Sequence, residues 1–144
     1  MSKFLKKVIL IAVCIFLLDI VISIWILTHD LKTRFPNLDF SKAQFGIASW
    51  YSKKDKNINT HTANGEKFDD SKLTCASWDY PFGEKLVVIN VLSGKWVACR
   101  VNDRGPNKRL NREVDLTRGA FKRIAKLRKG LVYAAVIPAN TKND

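Results

Sequence analysis

The chain holds two histidines and three cysteines, with no Cys-x-x-Cys and no histidine pair. Zinc ligation and dithiol redox catalysis therefore lack their ligands, and neither a metal nor a cofactor is expected. Zinc-finger spacing, the aromatic signature of RNA-binding sheets and a phosphate-cradling glycine loop are missing too, so nothing beyond bulk charge points to nucleic acid. Acidic residues are scarce: 13 Asp and Glu stand against 25 Lys and Arg, a formal charge of +12. That excess suits polyanionic surroundings, and a solvated basic surface near an anionic membrane or envelope polymer is the simplest account. No small-x-small pair follows the apolar N-terminal run, which favours a retained signal anchor over a cleaved signal peptide.

Fifteen of the twenty positions from Val8 to Leu27 are Val, Ile, Leu or Phe, the length needed to cross a bilayer core. Asp19 near the middle costs roughly 2.5–3.5 kcal/mol, and fifteen apolar residues at up to about 0.3–0.6 kcal/mol each outweigh it. Lys3, Lys6 and Lys7 precede the run while Lys32 and Arg34 follow it, so the charge bias places the N-terminus inside by a small margin. Ile11-Ala12-Val13-Cys14 loosely resembles a lipoprotein box, but Val13 is bulky where a small residue is usual. The expected organisation is a cytoplasmic basic end at 1–7, a transmembrane segment at 8–27, a stalk at 28–44, one small domain at 45–138 and a polar tail at 139–144. The domain then lies outside the cytoplasmic membrane.

Within that domain, short β-prone runs alternate with Gly and Pro turns. Phe45–Tyr51, Leu73–Trp78, Lys85–Val91, Lys95–Val101 and Leu131–Ile137 read as strands, and their number and punctuation predict a small barrel rather than a parallel sheet. One helix interrupts them, with Thr117 as cap, Ala120, Phe121, Ile124 and Leu127 as its apolar stripe, and Gly130 at its end.

Two stretches concentrate acidic groups. In Val101–Thr117, Asp103 sits at a strand tip beside Arg104-Gly105-Pro106, and Asp115 lies in a short apolar run before the helix. Either the two brace the turn and the helix entry or they carry chemistry. Upstream, Asn64-Gly65 is the strongest turn signal in the chain, and Glu66 and Asp69 follow it three apart. Carboxylates in unlike environments are what glycosidic cleavage needs, one protonated as acid and one ionised against developing positive charge. Trp50, Tyr51, Trp78 and Tyr80 are candidates for stacking on sugar faces or for the core. Arg104 is a candidate for orienting neighbours or reading acidic substituents, and His61 for reaching the cleft or lying exposed. Cys75 and Cys99 each fall in a predicted strand, either as a bridge between neighbouring strands in an oxidising compartment or as two buried free thiols.

The motifs Gly46-Ile47-Ala48-Ser49-Trp50-Tyr51, Thr62-Ala63-Asn64-Gly65-Glu66-Lys67-Phe68-Asp69, Pro81-Phe82-Gly83, Val101-Asn102-Asp103-Arg104-Gly105-Pro106 and Val114-Asp115-Leu116-Thr117 occur in this order. Together they resemble the rare lipoprotein A (RlpA) family of septal-ring lytic transglycosylases over about residues 45–138. The resemblance implies an all-β, six-stranded double-psi β-barrel with one short α-helix, here preceded by a transmembrane helix, and peptidoglycan glycan strands as substrate. It implies endolytic cleavage to 1,6-anhydro ends during wall organisation and septation, with cell-division or envelope proteins as candidate partners. Glu66, Asp69 and Asp103 correspond to the family's cleft acids, and Asp115 to the essential Asp of related double-psi barrels. One departure stands out. Competent members carry Thr-Ala-Ala-His where this chain has Thr74-Cys75-Ala76-Ser77, so Ser77 replaces a cleft histidine and an expansin-like, non-catalytic glycan binder or envelope scaffold becomes the alternative.

Overall fold

The computed structural model describes residues 3–34, 36–56 and 58–139. They form two compact units, divided after Pro36. The first is a single helix, α1 (Lys3–Arg34), whose segment Phe4–Ile26 has a mean hydropathy of 3.0 and is long and apolar enough to cross a membrane. The segment expected as a stalk is divided instead: its first residues continue α1, whereas Leu38 is buried, bridges Ala139 and belongs to the second unit. Residues 1 and 2 of the basic end and 140–144 of the polar tail lie outside the described residues.

The second unit is a closed six-stranded barrel, with strands β1 (Gln44–Tyr51), β2 (Thr74–Ala76), β3 (Lys85–Asn90), β4 (Trp96–Asp103), β5 (Val114–Thr117) and β6 (Val132–Pro138), arranged around the barrel as β1-β5-β2-β4-β3-β6. The β1/β5 and β2/β4 pairs are parallel; the other four are antiparallel. Successive side chains of a strand face opposite ways, so Ala48, Cys75, Val88, Val101, Val114, Leu116 and Val136 fill the interior. Cys75 and Cys99 are joined by a disulfide there, with their Cα atoms 6.0 Å apart. Among the described residues, closure pairs both edges of every strand of the barrel.

Helix α2 (Arg118–Ile124) follows β5 directly, and the Thr117 hydroxyl accepts the Ala120 N–H at its start. Ala120, Phe121 and Ile124 are buried in the barrel core. The helix is shorter than the stripe through Leu127 predicts, because Ala125 is extended and Leu127–Lys129 forms a separate 3-10 turn closed at Gly130. Side chains from the barrel take the carbonyls a longer helix would use: Asn90 Nδ2 donates to Ile124 O at 3.1 Å and Trp50 Nε1 to Leu127 O at 3.2 Å. Orphan carbonyls at a helix end need such partners, and here they come from β3 and β1.

Candidate active site

One row across the barrel brings the two Asp residues together. Ser49 on β1 pairs with Asp115 on β5, Asp115 with Ala76 on β2, and Ala76 with Asp103 on β4. A register shift between Cys75 and Ala76 places Asp103, rather than Asn102, opposite Ala76. Bulges re-aim side chains in this way next to functional sites. Asp103 and Asp115 therefore flank Ala76 at two strand spacings, about 9–10 Å between Cα atoms, and longer side chains on that row can converge over Ala76.

The two carboxyls live in different environments. Asp115 is 18% exposed, accepts a hydrogen bond from Ser49 Oγ, and has Arg112 Nη1 at 3.8 Å. Arg112 Nη1 also donates to Ser49 Oγ at 2.8 Å, so cation, hydroxyl and carboxyl form a short chain. Burial pushes the Asp115 pKa up to about 6, and Arg112 only partly opposes it. Asp103 instead receives two backbone donors on Oδ1, Ala63 N at 2.9 Å and its neighbour Arg104 N at 2.8 Å. Backbone N–H groups aimed at a carboxylate replace the water an anion would hold.

The upstream acids do other work. Glu66 is gripped by Arg100 through two 2.8 Å bonds, by Asn64 Nδ2 at 2.8 Å and by Asn102 Nδ2 at 3.1 Å. Those donors, Arg100 first, hold its pKa down to about 2. A carboxylate so committed ties the Asn64-Gly65 turn to β4 and has no proton to give. Gly65 sits in that turn at φ +89°, which a side chain would strain. Asp69 accepts from Ser71 N and Oγ, which lower its pKa, and so closes its own turn. Neither acid joins the row of Asp103 and Asp115.

The remaining candidates divide between support and surface. Arg104 Nη1 donates to the carbonyls of Ser77 at 2.7 Å and Tyr80 at 2.9 Å, and its guanidinium lies 3.7 Å above the Phe82 ring. It is therefore a brace for the 77–82 loop. Ser77 is fully buried, with its hydroxyl accepting the Asp79 N–H. Trp50 packs into the core against Phe121, and Tyr80 is buried with its hydroxyl on Lys42 O. His61 is exposed, with Nδ1 3.1 Å from Thr60 Oγ1. Trp78 is 49% exposed, held by Nε1 on Pro106 O at 2.7 Å with Lys108 near its ring, and it presents the aromatic surface nearest in sequence to the β2 end of the row. Tyr51 is buried and stacked on Phe68 at 4.9 Å. Sequence patterning passed over Ser49, Arg112 and Arg100. Arg112 stands three residues before Asp115, a spacing that signals little in a loop, and Arg100 lies 34 residues from the Glu66 it clamps.

Among the described residues, no three His, Cys, Asp or Glu side chains gather as a metal site requires. A recess of about 560 Å³ is lined by Lys42, Gln44, Asp79, Tyr80 and Glu84, and it includes neither Asp103 nor Asp115.

Comparison with known proteins places the barrel. The family model described as lytic transglycolase, of the double-psi β-barrel class, matches residues 43–136. A probable endolytic peptidoglycan transglycosylase RlpA of Nostoc is 38% identical over 86 residues, which is 60% of this chain and 23% of that protein. The endolytic peptidoglycan transglycosylase RlpA of Rickettsia felis is 37% identical over 106 residues, 73% of this chain and 46% of that protein. The chain thus spans between about a quarter and a half of these relatives. Among solved structures, a papain inhibitor of Streptomyces superposes with a TM-score of 0.53 at 22% identity, covering 67% of this chain and 93% of the inhibitor. An expansin of Clavibacter michiganensis gives 0.54 at 18% identity, covering 71% and 52%. A mutant of that expansin solved with cellohexaose gives 0.53 at 17% identity, covering 71% and 52%. At these identities the structures share the fold alone.

Proposed function

The chain belongs to the lytic transglycolase family, as an RlpA-type double-psi β-barrel, and from that footing we propose that it cleaves peptidoglycan glycan strands endolytically, leaving 1,6-anhydro ends. The supporting observation is the single row that sets a buried Asp115, raised to about 6, beside a backbone-solvated Asp103. Asp115 is the acid/base and Asp103 the anion that faces the developing oxocarbenium charge. Asp115 delivers its proton to the glycosidic oxygen as the C1–O4 bond breaks. It then removes the proton of the sugar's own 6-hydroxyl while O6 bonds to C1, which restores the acid and consumes no water. The carboxylate left after the first step is stabilised by the Ser49 hydroxyl, itself held by Arg112. Trp78 offers a face for a sugar ring on the flank of the row. Helix α1 anchors the barrel at the outer side of the cytoplasmic membrane, where the wall is within reach.

A non-catalytic, expansin-like glycan binder is the second reading. It draws on Ser77, which stands where the family resemblance implies a histidine and is fully buried, with its hydroxyl taken by the Asp79 N–H. Incubating the full chain in detergent with isolated peptidoglycan and scoring anhydro-ended fragments by mass spectrometry separates the two. Products from the parent that vanish in Asp115→Asn and fall at least 100-fold in Asp103→Asn support catalysis. Sedimentation with peptidoglycan without product from the parent supports the binder.

A further inference from the structure

We propose that Tyr51 is a positioning residue for the acid pair, its buried phenol donating a hydrogen bond to Asp103 and so fixing which of the two carboxyls carries the proton. The inference rests on the reading of Asp115 as acid and Asp103 as anion given above. Its geometric basis is independent of that reading. Tyr51 follows Ser49 by two residues on β1, so both project from the same face, and Ser49 stands opposite Asp115. The Tyr51 side chain packs with Phe68 and Ala76, and Ala76 is the register partner of both Asp115 and Asp103. The ring therefore lies over the residue that separates the two acids.

The phenol oxygen is buried and makes no hydrogen bond of full geometry, while Asp103 lies close enough to accept one from it. A buried orphan hydroxyl is uncommon and marks a group completed by a ligand or a small movement. Several groups face it. Asp103 from β4 and Asp115 from β5 act on it by charge, with Ser49 and Arg112 bound to Asp115 and to each other, the Ala63 N–H bound to Asp103, and Phe68 stacked on the Tyr51 ring. Arg104 is turned away onto the carbonyls of Ser77 and Tyr80. Burial first, then the charge of Asp103, pushes ionisation of the phenol far above its ordinary range, so it remains a neutral donor. Its stacking on Phe68 also rules out the sugar-stacking role that an exposed Tyr at this position would have.

Carboxyl-carbon NMR titration of the full chain in detergent micelles, parent against Tyr51→Phe, tests this without substrate. The variant keeps the ring and its stacking, and loses only the hydroxyl. Asp103 is expected to take up its proton about one pH unit higher in the variant, the size expected for one donor to a carboxylate. The pH–rate profile of anhydro-end release should then narrow from its acid side by the same amount. The alkaline limb, set by Asp115, stays put. An unmoved Asp103 titration, or a rate lowered equally at every pH, overturns the proposal and leaves Tyr51 a packing residue. Should the variant not fold, 3-fluorotyrosine in the parent chain makes the phenol a stronger donor, and Asp103 should then titrate lower; no change overturns the proposal equally. A parent that releases no anhydro ends defeats the functional reading, while the titrations still decide Tyr51.

Discussion

Asp115 illustrates how a single residue can be costly to the fold and useful to the site. Its side chain is mostly buried, and its pKa moves from 3.8 to about 6. A carboxyl whose folded pKa lies above the unfolded value binds its proton more tightly in the native state, so the contribution of Asp115 to stability is full below about pH 4 and is lost as pH rises through 6. A rise of that size corresponds to about 3 kcal/mol above that window. Asp115→Asn removes the titration, and the variant should be more stable than the parent at pH 7 by up to about 2 kcal/mol, after some loss at Ser49. Urea unfolding at pH 7 and pH 4 checks this: the gain should shrink at the lower pH, and an equal difference at both would mean that Asp115 is not desolvated. Glu66 is the opposite case. Its pKa is held down to about 2, so its contribution is present at neutral pH and fades only in strong acid. The fold therefore uses Glu66 as a fixed anion and keeps Asp115 near its titration point, the condition a proton-transfer catalyst needs.

At the scale of elements, β5 and α2 form the joint on which Asp115 depends, because the chain passes from strand to helix at Thr117 without a loop. The Gly119 N–H donates to Asp70 O at 2.7 Å, and Thr117 Oγ1 donates to Lys72 O at 2.5 Å. A Cβ on Gly119 would meet Ser71 O at 2.4 Å, a backbone atom that cannot give way cheaply. Gly119→Ala should cost about 1–3 kcal/mol and lower product release even though it touches neither carboxyl. Denaturant midpoints and fragment yields check the two effects, and an unchanged midpoint would show that the 70–72 turn moves freely. This joint also shows what the sequence could and could not disclose. Thr117 as cap and the strands on either side were legible from local patterning, because capping and alternation are near-neighbour properties. The early end of α2 at Ile124 was not, since Asn90 reaches the Ile124 carbonyl and Trp50 that of Leu127 from distant strands. Glu66 is a further case. Its spacing from Asp69 is visible in the chain, but the Arg100 that neutralises it is brought alongside only by barrel closure. The row of Ser49, Asp115, Ala76 and Asp103 depends on two parallel pairings and a bulge, none of which leaves a local signature.

On the scale of the whole molecule, a helix fit to cross a membrane precedes a barrel whose interior carries a disulfide, and the two features bear on compartment together. Cys75 and Cys99 are almost wholly buried and belong to β2 and β4, the strands that present Ala76 and Asp103. A bond there forms and persists in an oxidising compartment, which accords with the envelope location proposed above. A formal charge of +12 suits the anionic lipid and wall of that proposed location. Closing a loop with a sequence separation of 24 should contribute about 3 kcal/mol by restricting the unfolded chain, a large share of the stability of a domain of about 100 residues. Cys75→Ala with Cys99→Ala should lower the unfolding free energy by that order. The loss should reach catalysis as well, because β2 and β4 hold two of the four positions of the acid row. Thermal unfolding of the oxidised chain, the reduced chain and the double variant distinguishes the contributions. Reductant should act slowly on the folded barrel, since both sulfurs are shielded, and the reduced chain should match the variant once unfolded and refolded. An oxidised chain no more stable than the double variant would remove the disulfide from the account of how the row is held.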